Sequence, residues 1–287
     1  MQHGPAVRRR KLGAELRALR ARAGLTSGEA ARLVGWHQSK VSRIETGTSG
    51  TKPADVRLLL DAYGVRDPQL RDLMLALAGS DGDGGGRDHW WHAYRGVLPP
   101  AYRDFISLES QAGAMRTLET TVVPGLLQTP EYARAVTRAT VEGVDEDRLD
   151  AAVAVRLARQ EVLRADPPLR LCAVLDEAVL RREVGGPEVM ARQRERLVEA
   201  ARLPQVTLQV LPFTAGAHVG VTGPFVIFSF SSTSDLDVVV LDHLTSSLYL
   251  DRKEDLRAYT EAFNALRALA LSPEDSLEYI TATGDGM

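Results

Sequence analysis

The segment His37-Gln38-Ser39-Lys40-Val41-Ser42-Arg43 contains the side chains best suited to chemistry with a polyanion. A glutamine amide can pair in two-pronged fashion with N6 and N7 of adenine, and an arginine guanidinium with O6 and N7 of guanine. Each good pair is worth about 1–3 kcal/mol of discrimination against a wrong base. Gln38 and Arg43 are therefore the main candidate base readers. Ser39 and Ser42 can serve a base edge or a phosphate, and His37 flanks the groove or joins the readers. Candidate phosphate anchors are Ser27, Lys40, Thr48, Lys52 and Arg57, with the run Arg8-Arg9-Arg10-Lys11 adding positive charge. The bland alternative for each residue is a solvated side chain on a helix surface. The chemistry implied by the group is recognition of double-stranded DNA, with no bond made or broken.

Those residues must be held by a small helical scaffold. Leu12, Leu16 and Leu19 recur at helical spacing and stop at Gly24. Thr26 followed by Glu29 spells a capping box for a helix from Ser27 to Val34 that buries Ala30, Ala31 and Val34 and ends at Gly35. A third helix from near His37 carries Val41 and Ile44 on its inner side and ends at Gly47. Fourth and fifth helices are expected at Pro53–Tyr63 and Pro68–Leu77. Short helices with a tight glycine turn between the second and third describe a helix-turn-helix domain. The run from Thr26 to Gly47, with its spaced Ala31, Gly35, Val41, Ile44, Glu45 and Gly47, resembles the phage-repressor-like (Cro, XRE) family over residues 9–78. The resemblance implies that Glu45 pairs with Arg20 in the first helix and is structural, although a naive count points it at DNA. Trp36 stands where a smaller or polar turn residue is usual, and either packs on the domain or touches the DNA backbone. One such domain reads only a short half-site, so a homodimer on a pseudo-palindrome is expected.

Charge supports this division. Residues 1–78 hold 14 Arg and Lys against 7 Asp and Glu, a net of +7, whereas the whole chain of 287 residues has a net charge of −3. Gly79-Ser80-Asp81-Gly82-Asp83-Gly84-Gly85-Gly86 has no apolar side chain, so residues 79–88 read as a flexible linker that permits relative movement of the two parts. No run approaches the ~18 uncharged apolar residues of a membrane span. The N-terminal basic cluster precedes no apolar segment, and Cys172 is the only cysteine. A cytoplasmic protein without disulfides or membrane contact is expected.

Residues 89–287 mix helices and strands. Strands are expected at Met115–Val122, Leu169–Leu175, Val206–Leu211, Phe225–Phe230, Asp237–Leu241 and Ser247–Leu250. Helices fall to about Ala112, after Thr129, over Asp145–Ala165, over Glu188–Leu203, near Lys253–Ala270 and over Pro273–Ala282. The late, closely spaced strands indicate an α+β domain with a mainly antiparallel sheet. The segments Val123–Ala133, Val174–Leu180, Gly185-Gly186-Pro187, Gln209–Phe213 and Gly223-Pro224-Phe225 resemble the DUF5753 domain, over nearly everything after residue 100. That resemblance implies an antitoxin-like regulator and a protein partner, a small DUF397-type protein encoded nearby.

Enzymatic signals are weak. There is no G-x-S-x-G elbow, phosphate loop or H-E-x-x-H. His89 and His92 have metal-compatible spacing but no third ligand nearby, so no metal or cofactor is expected. Asp176-Glu177 reads as a helix cap followed by a first-turn acid rather than an acid–base pair, and Cys172 as a buried, inert thiol. The glycine-rich loop 214–223 with His218, the aromatic Trp90 and Trp91, and Phe225 are the candidate ligand or partner contacts. The expectation is a sequence-specific regulator whose C-terminal domain senses a partner protein or a small molecule, with a DNA-tethered enzyme or a recruiting adaptor as competing classes.

Overall fold

A computed structural model describes residues 4–78, 98, 100–141, 143, 145–230 and 237–283. The linker and the aromatic segment with Trp90 and Trp91 lie outside these described residues, as do His89 and His92. The first part is a helical array: α1 (Gly4–Arg22), α2 (Ser27–Leu33), α3 (Gln38–Glu45), α4 (Pro53–Ala62) and α5 (Pro68–Leu77). Its core is Leu12, Leu16 and Leu19 of α1 against Ala30, Ala31, Val41, Ile44, Val56, Leu59 and Leu60. Gly35 adopts φ of 70° in the turn between α2 and α3, a left-handed conformation that glycine enters without a Cβ penalty.

The remainder opens with α6 (Pro100–Gln111) and builds one six-stranded sheet. Its strands are β1 (Ala114–Glu119), β2 (Arg170–Asp176), β3 (Val206–Leu211), β4 (Phe225–Ser229), β5 (Val238–Asp242) and β6 (Ser247–Leu250). Their spatial order is β3-β2-β1-β4-β5-β6. The β1–β2 and β2–β3 pairs are parallel and the other three antiparallel, so the overall class is α+β with a mainly antiparallel sheet. The parallel pairs need long crossovers, which helices α7 (Pro130–Thr140), α8 (Glu146–Arg159), α9 (Glu177–Arg181) and α10 (Pro187–Ala200) supply. β1 stops at Glu119, short of Val122. The expected helix to Ala165 ends as an α-helix at Arg159 and closes in a 3-10 turn over Gln160–Leu163.

Alternation along the strands makes both sheet faces apolar. Leu118, Val174, Phe225, Ile227 and Val239 form one face, which α11 (Lys253–Leu269) covers with Phe263 and Leu266. Met115, Ala173, Leu175, Val210, Phe228 and Val240 form the other, continuous with a core that includes Leu12, Leu16 and Met74 of the helical part. The outer edge of β3 is closed by α11 and α12 (Pro273–Ala282): Leu271 N donates to Val210 O at 2.9 Å and Val210 N to Ser276 Oγ at 2.9 Å. Among the described residues no helix is long and apolar enough to cross a membrane.

The two parts touch. Helix α1 packs on α6 and β6, and α5 packs on α6. Lys11 Nζ donates to the Asp237 carbonyl, while the Asp237 carboxylate accepts from Ser229 Oγ and Phe230 N, each at 3.0 Å.

Candidate nucleic-acid interface

Helix α2 begins with a complete capping box. Glu29 N donates to Thr26 Oγ1 at 3.2 Å, and the Glu29 carboxylate accepts from Thr26 N at 2.8 Å. The same carboxylate accepts from Thr26 Oγ1 at 2.7 Å, and this bond together with the one from Thr26 N holds the Glu29 pKa below the usual carboxylate range. The turn at Gly35 then delivers α3 with Val41 and Ile44 buried and Gln38, Ser39, Ser42 and Arg43 exposed along one side. Helical periodicity accounts for the split, because residues 38, 39, 42 and 43 recur at spacings of three and four on one stripe.

The candidate readers are held in place by local contacts. Gln38 Nε2 donates to Ser27 Oγ at 2.9 Å, joining the first turns of α2 and α3. Ser27 accepts in that bond, so its own hydroxyl proton is available for a phosphate oxygen. Arg43 Nε donates to Ser39 O at 3.3 Å, which lays the side chain back along the helix. His37 is the exposed N-cap of α3 but makes no side-chain cap bond. Thr48 Oγ1 donates to Arg43 O at 3.2 Å and meets Thr46 Oγ1 at 3.0 Å, fixing the end of α3.

Among the cationic anchors, Lys52 is exposed at the start of α4 and Arg57 is half-buried on it. Lys40 is engaged within the domain: its ammonium lies 3.1 Å from Asp55 Oδ2 and 3.6 Å from the centroid of the Trp36 ring. Trp36 therefore packs on the domain beneath Lys40, and a phosphate would compete with Asp55 for that lysine. Sequence reasoning had no access to Asp55, because the pair joins two helices.

Behind this exposed row, Arg20 grips Glu45 with two bonds, Nε to Oε1 at 2.7 Å and Nη2 to Oε2 at 2.9 Å. Glu45 is buried and Tyr63 adds its hydroxyl at 3.5 Å, so this carboxylate is structural. Burial beside the Glu45 charge pushes the Tyr63 pKa up, so the phenol keeps its proton.

In the C-terminal part, the expected contacts lie differently. Phe225 is buried at 4% exposure, edge-on to Tyr259 at 5.0 Å and to Phe263 at 6.4 Å, because it sits on the sheet face that α11 covers. The structure thus places it in the core rather than on a binding surface. His218 Nδ1 accepts from Gly220 N at 3.2 Å and shapes the 214–223 loop. Asp176 caps α9, accepting from Ala178 N at 2.9 Å, while Glu177 accepts from Phe213 N at 2.7 Å and pairs with Arg181. Cys172 is half-buried, and burial raises its pKa, which leaves it a thiol.

Comparison with protein families agrees with this geometry. Residues 11–74 match the family described as a helix-turn-helix domain, so the α1–α5 unit is the DNA-binding part of a regulator. No curated protein and no solved structure matches the chain significantly. Residues 102–282 match the family described as Domain of unknown function (DUF5753), which takes in the whole sheet with its covering helices, and the protein belongs to that family.

Proposed function

We propose that this protein is a sequence-specific transcriptional regulator that binds operator DNA as a homodimer, with α3 in the major groove. In this reading it works in the cytoplasm without catalysing a reaction. The C-terminal domain receives a signal, from a small molecule or from a small DUF397-type protein, that changes DNA affinity. The observation that carries the reading is the single exposed row of Gln38, Ser39, Ser42 and Arg43 on a helix rigidly backed by Arg20 and Glu45. A signal acts only if it binds the DNA-competent and incompetent states unequally. The packing of α1 on α6 and β6 supplies a physical connection for that difference.

The test is binding of a self-promoter duplex and a random duplex across a salt series. Gln38→Ala and Arg43→Ala should each cost about 1–3 kcal/mol on the preferred duplex and little on the random one. Lys52→Ala should weaken both alike and lower the salt slope by about one. Equal losses on both duplexes for Gln38→Ala and Arg43→Ala would remove them from the base-reading role.

A further inference from the structure

Among the described residues Arg156 is a cation with no anion. It lies on α8 where that helix meets α6 and the 124–128 segment, and Nη1 donates to the neutral amide oxygen Gln128 Oε1 at 3.1 Å. Among the described residues no carboxylate pairs with it. The neighbouring Arg159 is different: it holds Glu109 with bonds of 2.8 Å and 2.7 Å, so that carboxylate is already spent. Burial pushes the Arg156 pKa down and Arg159 pushes it further the same way, opposed only by Tyr102. An arginine half withdrawn from water without a counter-charge is costly to fold around, and such groups recur where something else supplies the charge.

A second, separate observation points the same way. Tyr102 on α6 accepts a hydrogen bond from Arg159 Nη1, which leaves its own phenolic proton without an acceptor among the described residues. Tyr102 and Arg156 interact electrostatically, and both side chains are half-buried rather than sealed off. Unspent N–H donors and an unspent O–H donor therefore meet at one place, around a net positive charge, with a route to water. The amides that build the wall are already committed: Gln128 Nε2 donates to Val123 O at 2.7 Å and Gln160 Nε2 to Gln128 O at 2.7 Å.

We propose that Arg156 and Tyr102 form a binding site for a small ligand bearing an oxyanion, a carboxylate or a phosphate, in the junction between α6, α8 and the 124–128 segment. The planar guanidinium suits a two-oxygen acceptor, and the phenol supplies a further donor. The proposal rests on the reading of the C-terminal domain as the part that receives a signal, and it names the chemistry of that signal.

The test uses the full chain in chloride buffer, with ionic strength held constant while inorganic phosphate, or in a parallel series succinate, replaces chloride. The melting temperature should rise saturably with at least one probe, and Arg156→Gln should abolish the rise. In buffer free of both probes Arg156→Gln should melt at or above the wild type, because it removes an uncompensated charge; a merely structural arginine predicts a lower value. Should Arg156→Gln not fold, Arg156→Lys keeps the charge without the two-pronged geometry and should raise the half-saturating concentration by about tenfold or more. Tyr102→Phe should weaken binding in the same direction. An equal rise in wild type and Arg156→Gln, or no rise in the wild type with either probe, overturns the site, the second result leaving an acidic protein surface as the candidate occupant. DNA affinity measured with and without the effective probe separates the two claims: stabilisation through Arg156 with unchanged DNA binding upholds the site and refutes its regulatory role.

Discussion

Two carboxylates show how environment decides what a residue does. Glu45 is buried with both carboxylate oxygens held by Arg20 and so is structural. Glu119, at the end of β1, meets Thr117 Oγ1 at 3.0 Å, but that hydroxyl also lies 3.1 Å from Phe225 O. One hydroxyl proton cannot serve both acceptors at once, so an ionised Glu119 has only a shared donor in Thr117. Burial pushes the Glu119 pKa up to about 7, with Asp242 adding to the rise and Thr117 and Arg159 opposing it. The sign follows from linkage. A carboxyl whose folded pKa exceeds its unfolded value contributes stability that is fully present below about 4.5 and lost as pH rises through about 7. Glu119→Gln keeps the shape and cannot ionise. Its melting temperature relative to wild type should therefore rise between about pH 5 and pH 8; a difference independent of pH would show that Glu119 is ionised throughout.

At the scale of elements, the contact between α1 and α3 depends on an absent side chain. A Cβ on Gly13 would lie 2.4 Å from Ile44 O and 2.6 Å from Glu45 O, both backbone atoms that cannot step aside. Gly13→Ala should push α1 off the end of the recognition helix, destabilise the protein by about 1–3 kcal/mol and weaken DNA binding. Gly28 in the first turn of α2 has only Thr26 Oγ1 nearby, at 4.0 Å, so Gly28→Ala should be neutral or stabilise by up to about 1 kcal/mol. Chemical denaturation of both variants decides the matter, and similar effects in the two would deny the close approach. Elements of this kind were largely readable in advance. Thr26, Thr129 and Asp176 announce helix starts because a cap is a local hydrogen bond, and the strands β2 and β4 follow short apolar runs in the sequence. The tight Gly13 contact was not readable, since its partner is a carbonyl thirty-one residues away. Nor was the burial of Phe225, which depends on which sheet face α11 covers.

The whole molecule is where the sequence says least, because its order is set by pairings across long separations. Nothing local indicates that β1 lies between β2 and β4, or that Arg156 is left without the carboxylate that Arg159 obtains. A glycine-rich linker suggested two parts free to move, yet α1 and α5 pack on α6, and α1 also reaches β6. Helix α1 thus belongs to both parts: Gly13 and Arg20 clasp the end of α3 while Lys11 reaches the Asp237 carbonyl beside β5. A shared element of this kind couples the stability of its two neighbours, because neither can unfold without exposing apolar surface of the other. Scanning calorimetry of the full chain should therefore show one cooperative transition, and saturating duplex DNA should move it as a unit, by binding to the native state alone. Two transitions, of which DNA shifts only the lower or only the upper, would mean that α1 docks too weakly to transmit anything. The proposed regulation would then need another route, such as the C-terminal domain setting the distance between the two recognition helices of the proposed dimer.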